Sequence, residues 1–217
     1  MNIAVLVSGG GTNLQAIIDQ IDNQTLHEVS IVKIISSSHT AYALERAKAH
    51  DISACVVSRK AFPDFDSYDE AMIQALTGQQ IDLVVLAGFL SLLGPKVIHH
   101  FSNRIINIHP ALIPSFCGQG MYGIKPHEAA LARGVKVSGA TVHFVNEHYD
   151  EGPILLQKSI DVLPEDTPQT LQLRIMKECE QVILPQAIQL IAGQLVHIKD
   201  NRAYISSSCT RAGEGIS

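Results

Sequence analysis

The chain has 217 residues, of which 46% are hydrophobic and 17% are charged, and its formal net charge is −5 at pH 7. This length suits one domain with a buried core, and the composition excludes a disordered or fibrous chain. The negative charge argues against a nucleic-acid-binding surface, although a local basic patch for a small anion is compatible with it. No apolar run approaches the roughly 18 residues of a membrane span, and the chain enters a strand directly without a signal-peptide pattern.

Short apolar runs alternate with helical patterns through the first half of the chain. The predicted strands are Ile3–Val7, Val29–Ile35, Ala54–Val57, Leu83–Leu86 and Ile105–Ile108. The predicted helices between them are Asn13–Ile21, Ala41–His50, Asp66–Leu76 and Pro95–Phe101. This alternation, with strands that are almost continuously apolar, predicts an α/β fold. We expect a Rossmann-like, mostly parallel open sheet with helices on both faces.

The pattern becomes irregular after Pro110, where prolines and glycines mark a long loop, and loops of this length are usually functional. A helix over Pro126–Arg133 and strands over Val137–Val145 and Ile154–Ile160 follow. A long helix should start at Asp166 or Thr167 and be kinked or broken by Pro185. The last predicted pair of strands is Val196–Ile198 and Ala203–Ile205. We expect one domain over residues 1–205 and a frayed polar tail over residues 206–217.

The first strand runs into a glycine-rich turn, Ser8-Gly9-Gly10-Gly11-Thr12-Asn13, and then into a helix. Such a turn brings backbone amides close to an anion at a helix N-terminus, and Thr12 or Asn13 would cap the helix. The dinucleotide pattern GxGxxG fails because Leu14 stands at its third glycine, and the P-loop fails because its lysine is missing. The turn therefore favours a single phosphate; the alternative is a tight turn that binds nothing.

A carboxamide and an imidazole stand two residues apart at the end of the fifth strand, and a carboxylate follows from a later loop. Asn107 and His109 point to the same side of the strand about 6.6 Å apart, at the edge where open α/β sheets bind ligands. Asp150 comes after the strand whose Thr141, His143 and Val145 share one face, and the bend at Gly152-Pro153 would aim it inward. The combination of Asn107, His109 and Asp150 predicts a site that stabilises a developing negative charge.

Contact between Asp150 and His109 would favour the imidazolium form. At a separation of about 4 Å and an effective dielectric constant of about 20, the attraction is about 4 kcal/mol. We therefore expect Asp150 to keep His109 protonated near neutral pH, with the Asn107 amide as a second donor to an oxyanion. There is no G-x-S-x-G elbow, and no cysteine has the sequence context of a nucleophile. These observations favour direct transfer without a covalent intermediate.

Cysteine and histidine spacing indicates neither a disulfide framework nor a metal site. No Cys-x-x-Cys pair occurs among the four widely spaced cysteines. His99 and His100 are adjacent, so they cannot share a helix face, and no His-x-x-x-His spacing occurs. We expect a reduced, cytoplasmic protein that uses no metal.

Several motifs together resemble the phosphoribosylglycinamide formyltransferases, which are folate-dependent enzymes of purine synthesis. They are residues 7–15 (VSGGGTNLQ), 86–89 (LAGF), 107–114 (NIHPALIP), 139–145 (GATVHFV) and 150–153 (DEGP). The likeness runs from Met1 to about residue 200. It implies the formyltransferase fold and transfer of the formyl group of 10-formyltetrahydrofolate to the amine of N1-(5-phosphoribosyl)glycinamide, on the way to IMP.

The resemblance also implies roles for individual residues. Asn107 would donate to the carbonyl and oxyanion, His109 would be the imidazolium acid, and Asp150 would raise its pKa. The residues implied to bind the ribonucleotide are Gly11, Thr12, Asn13 and Glu180. The residues implied to bind the folate are Leu90, Ser91, Leu92, Leu93, Asn107 and Val145. By sequence alone, Glu180 would equally be a solvated helix residue, and the leucines would be ordinary core.

Two features depart from the family pattern. Relatives commonly carry an arginine near the folate tail where this chain has Phe65, and Arg59 or Lys60 would have to replace it. The loop Gly118–Lys125 is longer than in many relatives, and its role as a lid is a hypothesis. The sequence therefore does not determine which residue binds the glutamate tail of the folate.

Three alternatives share parts of this pattern. Formyltetrahydrofolate hydrolase usually has an extra N-terminal domain and His-His where this chain has His109-Pro110. Methionyl-tRNA formyltransferase carries a further C-terminal domain for tRNA. A catalytically silent phosphate-binding module would keep only the sheet and the turn. We expect small-molecule substrates and no nucleic-acid or membrane partner, with a monomer and a homodimer equally allowed.

Overall fold

The computed structural model describes residues 1–206 of the chain. Its strands are β1 (Asn2–Val7), β2 (Ser30–Ser36), β3 (Ala54–Val56), β4 (Leu83–Leu86), β5 (Ile105–His109), β6 (Val137–Phe144), β7 (Ile154–Asp161), β8 (Val196–Lys199) and β9 (Arg202–Ile205). Its α-helices are α1 (Thr12–Asp22), α2 (Ala43–Ala49), α3 (Phe65–Thr77), α4 (Pro95–His100), α5 (Lys125–Arg133), α6 (Pro168–Ile175) and α7 (Gln181–Ala192). A 3₁₀ turn covers Arg59–Ala61, and a π turn covers Met176–Glu180.

Within the described residues, β1 to β7 form one sheet in the order β3-β2-β1-β4-β5-β6-β7. The first five strands are parallel, whereas β6 runs antiparallel to β5 and β7 antiparallel to β6. The predicted Rossmann-like, mostly parallel sheet is confirmed. The strand order reverses between β1 and β4, which is where open α/β sheets form a ligand crevice at the carboxyl ends of their strands.

Alternate residues of β1 supply the cores on the two faces of the sheet. Ile3, Val5 and Val7 pack with apolar residues of α1 and α7, while Ala4 and Leu6 pack with those of α3 and α4. All five are fully buried, because a central parallel strand is covered by helices on both sides. This arrangement explains why the strand is apolar at every position instead of every second one.

Helix α1 begins differently from the prediction. Its N-cap residue is Gly11, in the left-handed region at φ 69°, and no side chain caps the helix, so the expected cap by Thr12 or Asn13 is wrong. A Cβ on Gly11 would lie 2.7 Å from Cβ of Ala43, so α2 packs against the turn only because this residue is glycine. The turn and α2 are therefore held in close contact.

The long C-terminal helix starts as predicted but is not broken where expected. Thr167 caps α6 through a capping box with Thr170. Helix α7 continues through Pro185 without a break, and the irregularity lies before it, in the π turn over Met176–Glu180. Pro185 lacks the amide that would bond to the carbonyl of Gln181, yet the helix runs on to Ala192. The prediction of a break at Pro185 is therefore wrong, and the alternative of a kink stays a prediction.

Strands β8 and β9 form the predicted hairpin, with Asp200 and Asn201 at its turn. Both turn residues have positive φ, at 49° and 56°, as two-residue hairpin turns require. In residues 1–206 no helix combines the length and the apolar composition needed to cross a membrane. The frayed tail was predicted over residues 206–217, of which 207–217 lie outside the described part, while the amide of Ser206 donates to the carbonyl of Leu195 at 2.8 Å. The single-domain assignment stays a prediction.

Candidate active site

A cavity of about 740 Å³ opens beside the carboxyl ends of β1, β4 and β5. It brings together the last two residues of the glycine turn (residues 8–13), most of the β4–α4 segment (residues 87–94) and the acid–amide–imidazole group of Asn107, His109 and Asp150. The predicted site residues among its lining are Thr12, Asn13, Leu90, Ser91, Leu92, Leu93, Asn107, His109, Val145, Asp150 and Glu180. Gly11 lies at the start of α1, beside Thr12. In residues 1–206, no group of three or more His, Cys, Asp and Glu side chains is arranged to hold a metal ion.

Asn107 faces His143 across the antiparallel pair of β5 and β6. The register places the two residues opposite each other, and Nδ2 of Asn107 donates to Nε2 of His143 at 3.1 Å. Nδ1 of His143 donates to the carbonyl of Phe144 at 2.9 Å, because a carbonyl can only accept. Because Nδ1 donates to this carbonyl, Nε2 of His143 is the atom that accepts from the Asn107 amide and orients it.

His109 is almost fully buried, and its two nitrogens have different neighbours. Nε2 donates to the carbonyl of Phe116 at 2.9 Å, and Nδ1 lies 3.7 Å from Oδ2 of Asp150. Burial lowers the pKa of His109, and the opposing effects of the Asp150 charge and the Phe116 carbonyl do not restore it. The expectation that Asp150 keeps His109 protonated is wrong for the free site, because the attraction at this distance is weaker than the cost of burying the imidazolium.

The carboxylate of Asp150 is ionised and lies between the backbone amide of Gly118 and the side chains of His109 and His143. Oδ2 accepts from the backbone amide of Gly118 at 2.8 Å, and Oδ1 lies 3.5 Å from Nε2 of His143. Burial favours the neutral acid, but the interactions of the carboxylate with His143, the Gly118 amide and His109 outweigh it, so the pKa of Asp150 lies below its usual range. The carboxylate is therefore ionised at neutral pH.

The bend after Asp150 depends on a glycine. Asp150 itself adopts a positive φ of 54°, and a Cβ on Gly152 would overlap the carbonyl of Phe144 on β6. The returning chain can approach the strand this closely only without a side chain. The inward aim predicted for Asp150 from the Gly152-Pro153 pair is confirmed.

The glycine turn presents free backbone amides. In the described part of the chain, the amides of Gly10, Gly11 and Thr12 donate to no other residue. Nothing lies within 4 Å of a Cβ built on Gly9 or Gly10, and Nε of Arg46 donates to the carbonyl of Gly10 at 2.8 Å. Free amides at a helix N-terminus form a site suited to an anion.

Glu180 contacts Asn13, the last residue of the glycine turn. Nδ2 of Asn13 donates to Oε2 of Glu180 at 2.7 Å, and both side chains are buried. Glu180 is thus not a solvated helix residue; it lies at the end of the π turn. Burial raises the pKa of Glu180, and the hydrogen bond from Asn13 opposes that rise. Oδ1 of Asn13 is buried with no partner among residues 1–206.

Leu90 and Leu92 of the β4–α4 segment are exposed and do not belong to the core, whereas Leu93 is partly buried and packs against the core residues of α3 and α4. Leu90 is 59% and Leu92 is 44% exposed, and both line the cavity. Phe65, which stands at the family's arginine position, is partly exposed and carries the guanidinium of Arg59 4.5 Å above its ring. An exposed apolar wall of this kind suits the flat face of a heteroaromatic ligand.

Sequence reasoning missed four groups of the site. His143 was noted only as one residue of a shared strand face, and that alternation was the signal for it. The Phe116 carbonyl and the Gly118 amide gave no signal, because backbone groups of an irregular loop carry none. His127 is buried and lines the cavity, and neither ring nitrogen has a partner within residues 1–206. Burial, with a smaller effect of the His109 charge, lowers its pKa to about 4.

Residues 1–188 match the protein-family model described as formyl transferase. The chain belongs to the formyl transferase family. Within the family, it is 39% identical over 203 residues to a phosphoribosylglycinamide formyltransferase of Haemophilus influenzae, covering 94% of this chain and 92% of that relative.

Two solved structures extend the comparison. Glycinamide ribonucleotide transformylase 1 from Symbiobacterium toebii superposes with a TM-score of 0.89 at 40% identity, over 95% of this chain and 94% of that one. A formyltetrahydrofolate deformylase from Pseudomonas syringae superposes with a TM-score of 0.84 at 26% identity, covering 95% of this chain but only 66% of the deformylase chain. The predicted formyltransferase fold is confirmed.

Proposed function

We propose that this chain transfers the formyl group of 10-formyltetrahydrofolate to the amine of N1-(5-phosphoribosyl)glycinamide, a step of purine synthesis. One observation carries the proposal. A single cleft is lined by Thr12 and Asn13 at the end of the glycine turn, by the apolar wall of the β4–α4 segment, and by the group of Asn107, His109 and Asp150. Relatives that match nearly the whole chain bear this activity in their names. The proposed location is the cytoplasm.

The glycine turn is the proposed phosphate site. The amides of Gly11 and Thr12 point away from internal partners, and the N-terminus of α1 adds a partial positive charge. Thr12 lies beside Met176 of the π turn, with Oγ1 3.2 Å from its sulfur, so the proposed phosphate site is next to the turn that ends at Glu180. We assign Asn13 and Glu180 to the glycinamide end, where an amine would find the carboxylate.

Asn107 and His109 are the proposed groups for the reacting carbonyl. As the amine nitrogen bonds to the formyl carbon, the carbonyl electron pair moves to oxygen, and the Asn107 amide donates to that oxyanion. His109 is neutral in the free site, and a negative charge forming beside it raises its proton affinity. We therefore assign it as the group that becomes imidazolium as the charge develops.

Asp150 is the proposed acceptor of the proton that the attacking amine must lose. Its carboxylate is ionised because its pKa is lowered. The proton passes to Asp150 directly or through water, and from Asp150 to Nδ1 of His109, 3.7 Å away, which is imidazolium while the oxyanion is present. The same proton then goes to the folate nitrogen, whose bond to the formyl carbon breaks as the oxyanion collapses. Atoms and charge balance without any other reactant.

The apolar wall is the proposed folate site. Leu90, Leu92 and Val145 line the cavity. Ser91 and Leu93 line it too, and their backbone amides are proposed to bind the folate. Arg59, ordered on the Phe65 ring, is the proposed cation for the glutamate tail in place of the family's arginine. Both proposed substrates are small molecules, and every assigned residue comes from one chain, so a monomer and a homodimer are both compatible.

Formyltetrahydrofolate hydrolysis is the second candidate, because a deformylase shares the fold. The difference is the nucleophile, which is water in the hydrolase and the ribonucleotide amine here. The free amides of the glycine turn favour the transferase, because hydrolysis needs no phosphate site. A silent phosphate-binding module is disfavoured by the buried and mutually oriented catalytic group.

The test is to follow loss of the formyl group from 10-formyltetrahydrofolate optically, with and without glycinamide ribonucleotide. We expect turnover only when the ribonucleotide is present, with one formylated ribonucleotide formed for each folate consumed. Equal loss without the ribonucleotide would replace the transferase by the hydrolase. No turnover in either mixture, with ribonucleotide binding retained, would support the silent module.

A further inference from the structure

The β4–α4 segment is held at two points by side chains that lie far from it in sequence. In its middle, the amide of Leu90 donates to Oγ of Ser8 at 2.7 Å. At its end, the amides of Gly94 and Lys96 donate to the buried carboxylate of Asp69 at 3.0 and 2.9 Å. A Cβ on Gly94 would overlap that carboxylate, so this end is rigidly packed.

Ser8 belongs at the same time to the glycine turn. Its Oγ lies 2.6 Å from Oγ of Ser37, in the loop after β2. Because the Ser8 oxygen accepts from Leu90, its own proton is free to donate to Ser37. One hydroxyl therefore joins the chain segments that follow β2, β1 and β4, three neighbouring strands at the ligand edge of the sheet.

We propose that Ser8 is a positioning residue, whose hydroxyl fixes residues 90–93 against the glycine turn and so sets the separation of the folate and ribonucleotide sites. This inference rests on the proposed function, which assigns those two surfaces to the two substrates. Transfer requires the amine nitrogen and the formyl carbon to approach within about 3–3.5 Å, and small misplacements of a substrate reduce the rate strongly.

Removing the side chain of Asp69 should affect folding, whereas removing the hydroxyl of Ser8 should change only the position of residues 90–93. Asp69 is fully buried and satisfies two amides at the start of α4, so its removal would affect folding. Ser8 and Leu90 are not buried, so water can replace the lost acceptor of the Leu90 amide. Loss of the Ser8 hydroxyl should therefore relax the position of residues 90–93 without unfolding the chain.

The experiment compares the whole chain with Ser8→Ala, Ser8→Thr and Ser37→Ala. Binding of tetrahydrofolate, the reaction product, is measured by calorimetry, and kcat, both KM values and Tm are measured alongside. For Ser8→Ala we expect tetrahydrofolate binding about 3- to 10-fold weaker, the loss typical of one hydrogen bond, and a lower kcat, with Tm almost unchanged. Ser8→Thr keeps the hydroxyl and should restore both, and Ser37→Ala keeps the bond to Leu90 and should resemble the wild type.

Several results would overturn the inference. Unchanged tetrahydrofolate affinity and kcat in Ser8→Ala would do so, as would an equal loss in Ser37→Ala, because the bond to Leu90 is intact there. A loss accompanied by a large fall in Tm, and not restored by Ser8→Thr, would make Ser8 merely structural. If the wild type itself did not bind tetrahydrofolate, the proposed function would fall and this inference with it, an outcome distinct from a failure of Ser8→Ala alone.

Discussion

Asn13 and Glu180 are 167 residues apart in sequence, yet Nδ2 of Asn13 donates to Oε2 of Glu180 at 2.7 Å. The contact joins the first turn of α1 to the π turn that precedes α7. A π turn takes one residue more than an α turn, and it ends here on the residue that reaches into the cleft. The phosphate turn and the buried carboxylate are therefore one structural unit.

Glu180→Gln should make the chain more stable at neutral pH and less active. The folded chain binds a proton on Glu180 more tightly than the unfolded chain does, since burial raises the pKa. The wild type therefore loses stability as pH rises from about 4.5 through the raised pKa, and the glutamine variant does not. We expect a gain of about 1 kcal/mol above that window, where the new amide can also donate to Oδ1 of Asn13. Melting curves at several pH values measure it, together with KM for the ribonucleotide, which should rise; equal Tm values throughout would contradict the account.

Asp150→Asn should lower kcat about 10²- to 10³-fold while folate binding survives. The amide cannot accept the proton of the attacking amine, although it can still accept a hydrogen bond from Gly118. Because the pKa values of Asp150 and His109 are both lowered, the acid limb of the wild-type kcat/KM profile should lie below pH 6.5. Glu151→Gln changes a neighbouring exposed carboxylate and is the matched control. Similar kcat values for Asp150→Asn and this control would remove Asp150 from the mechanism.

His127 should make the chain labile to acid. Its pKa is about 4 in the folded chain and about 6.5 when unfolded, so the unfolded state takes up the proton first as pH falls. Stability should decline from pH 6.5 towards pH 4, by on the order of 3 kcal/mol from this residue. His127→Leu should flatten this decline in urea denaturation series at pH 7 and pH 5. His39→Leu, at an exposed position, should leave the slope unchanged; the same slope in the wild type and His127→Leu would refute the prediction.

Gly11→Ala should destabilise the chain by about 1–3 kcal/mol, since the new Cβ would press on Ala43 at a positive φ. Ribonucleotide affinity should fall with it, because the amides of the turn would move. Gly9→Ala is the matched control, since nothing lies within 4 Å of a Cβ there. Its Tm should equal that of the wild type, and weaker ribonucleotide binding without a change in Tm would place the ligand on that open side. Equal Tm values for both variants would contradict the packing argument.

Arg59→Ala should weaken the binding of folates that carry a glutamate tail. The guanidinium is ordered by the Phe65 ring and by a bond from Nη1 to the carbonyl of Phe62 at 2.7 Å. We expect KM for a polyglutamylated formyl folate to rise about 3- to 10-fold, as for one exposed charge contact, with kcat unchanged. Lys60→Ala is the comparison, since the sequence analysis named both Arg59 and Lys60 as possible replacements for the family's arginine. A larger effect at Lys60 would transfer the role to that residue.

The fold and the edge that carries the site could be predicted from the sequence because hydrophobic periodicity is local. The fully apolar β1 indicated a central strand, and the two-residue spacing of Asn107 and His109 put both side chains at one strand end. The same reasoning failed at Pro185, where a proline alone was taken to break the helix. The irregularity lies in the π turn before it, which the sequence pattern did not indicate. The reasoning failed also at the cap of α1, which a close approach of Ala43 reserves for glycine.

The sequence by itself determined a mostly parallel sheet, a phosphate-sized turn and the three residues Asn107, His109 and Asp150. Only the tertiary structure decided the charge of His109, because desolvation depends on every atom packed around the ring and not on one partner. It also decided the partner of Asn13 and the roles of the Phe116 carbonyl and the Gly118 amide. Those contacts form only when distant segments and an irregular loop meet at the same edge of the sheet.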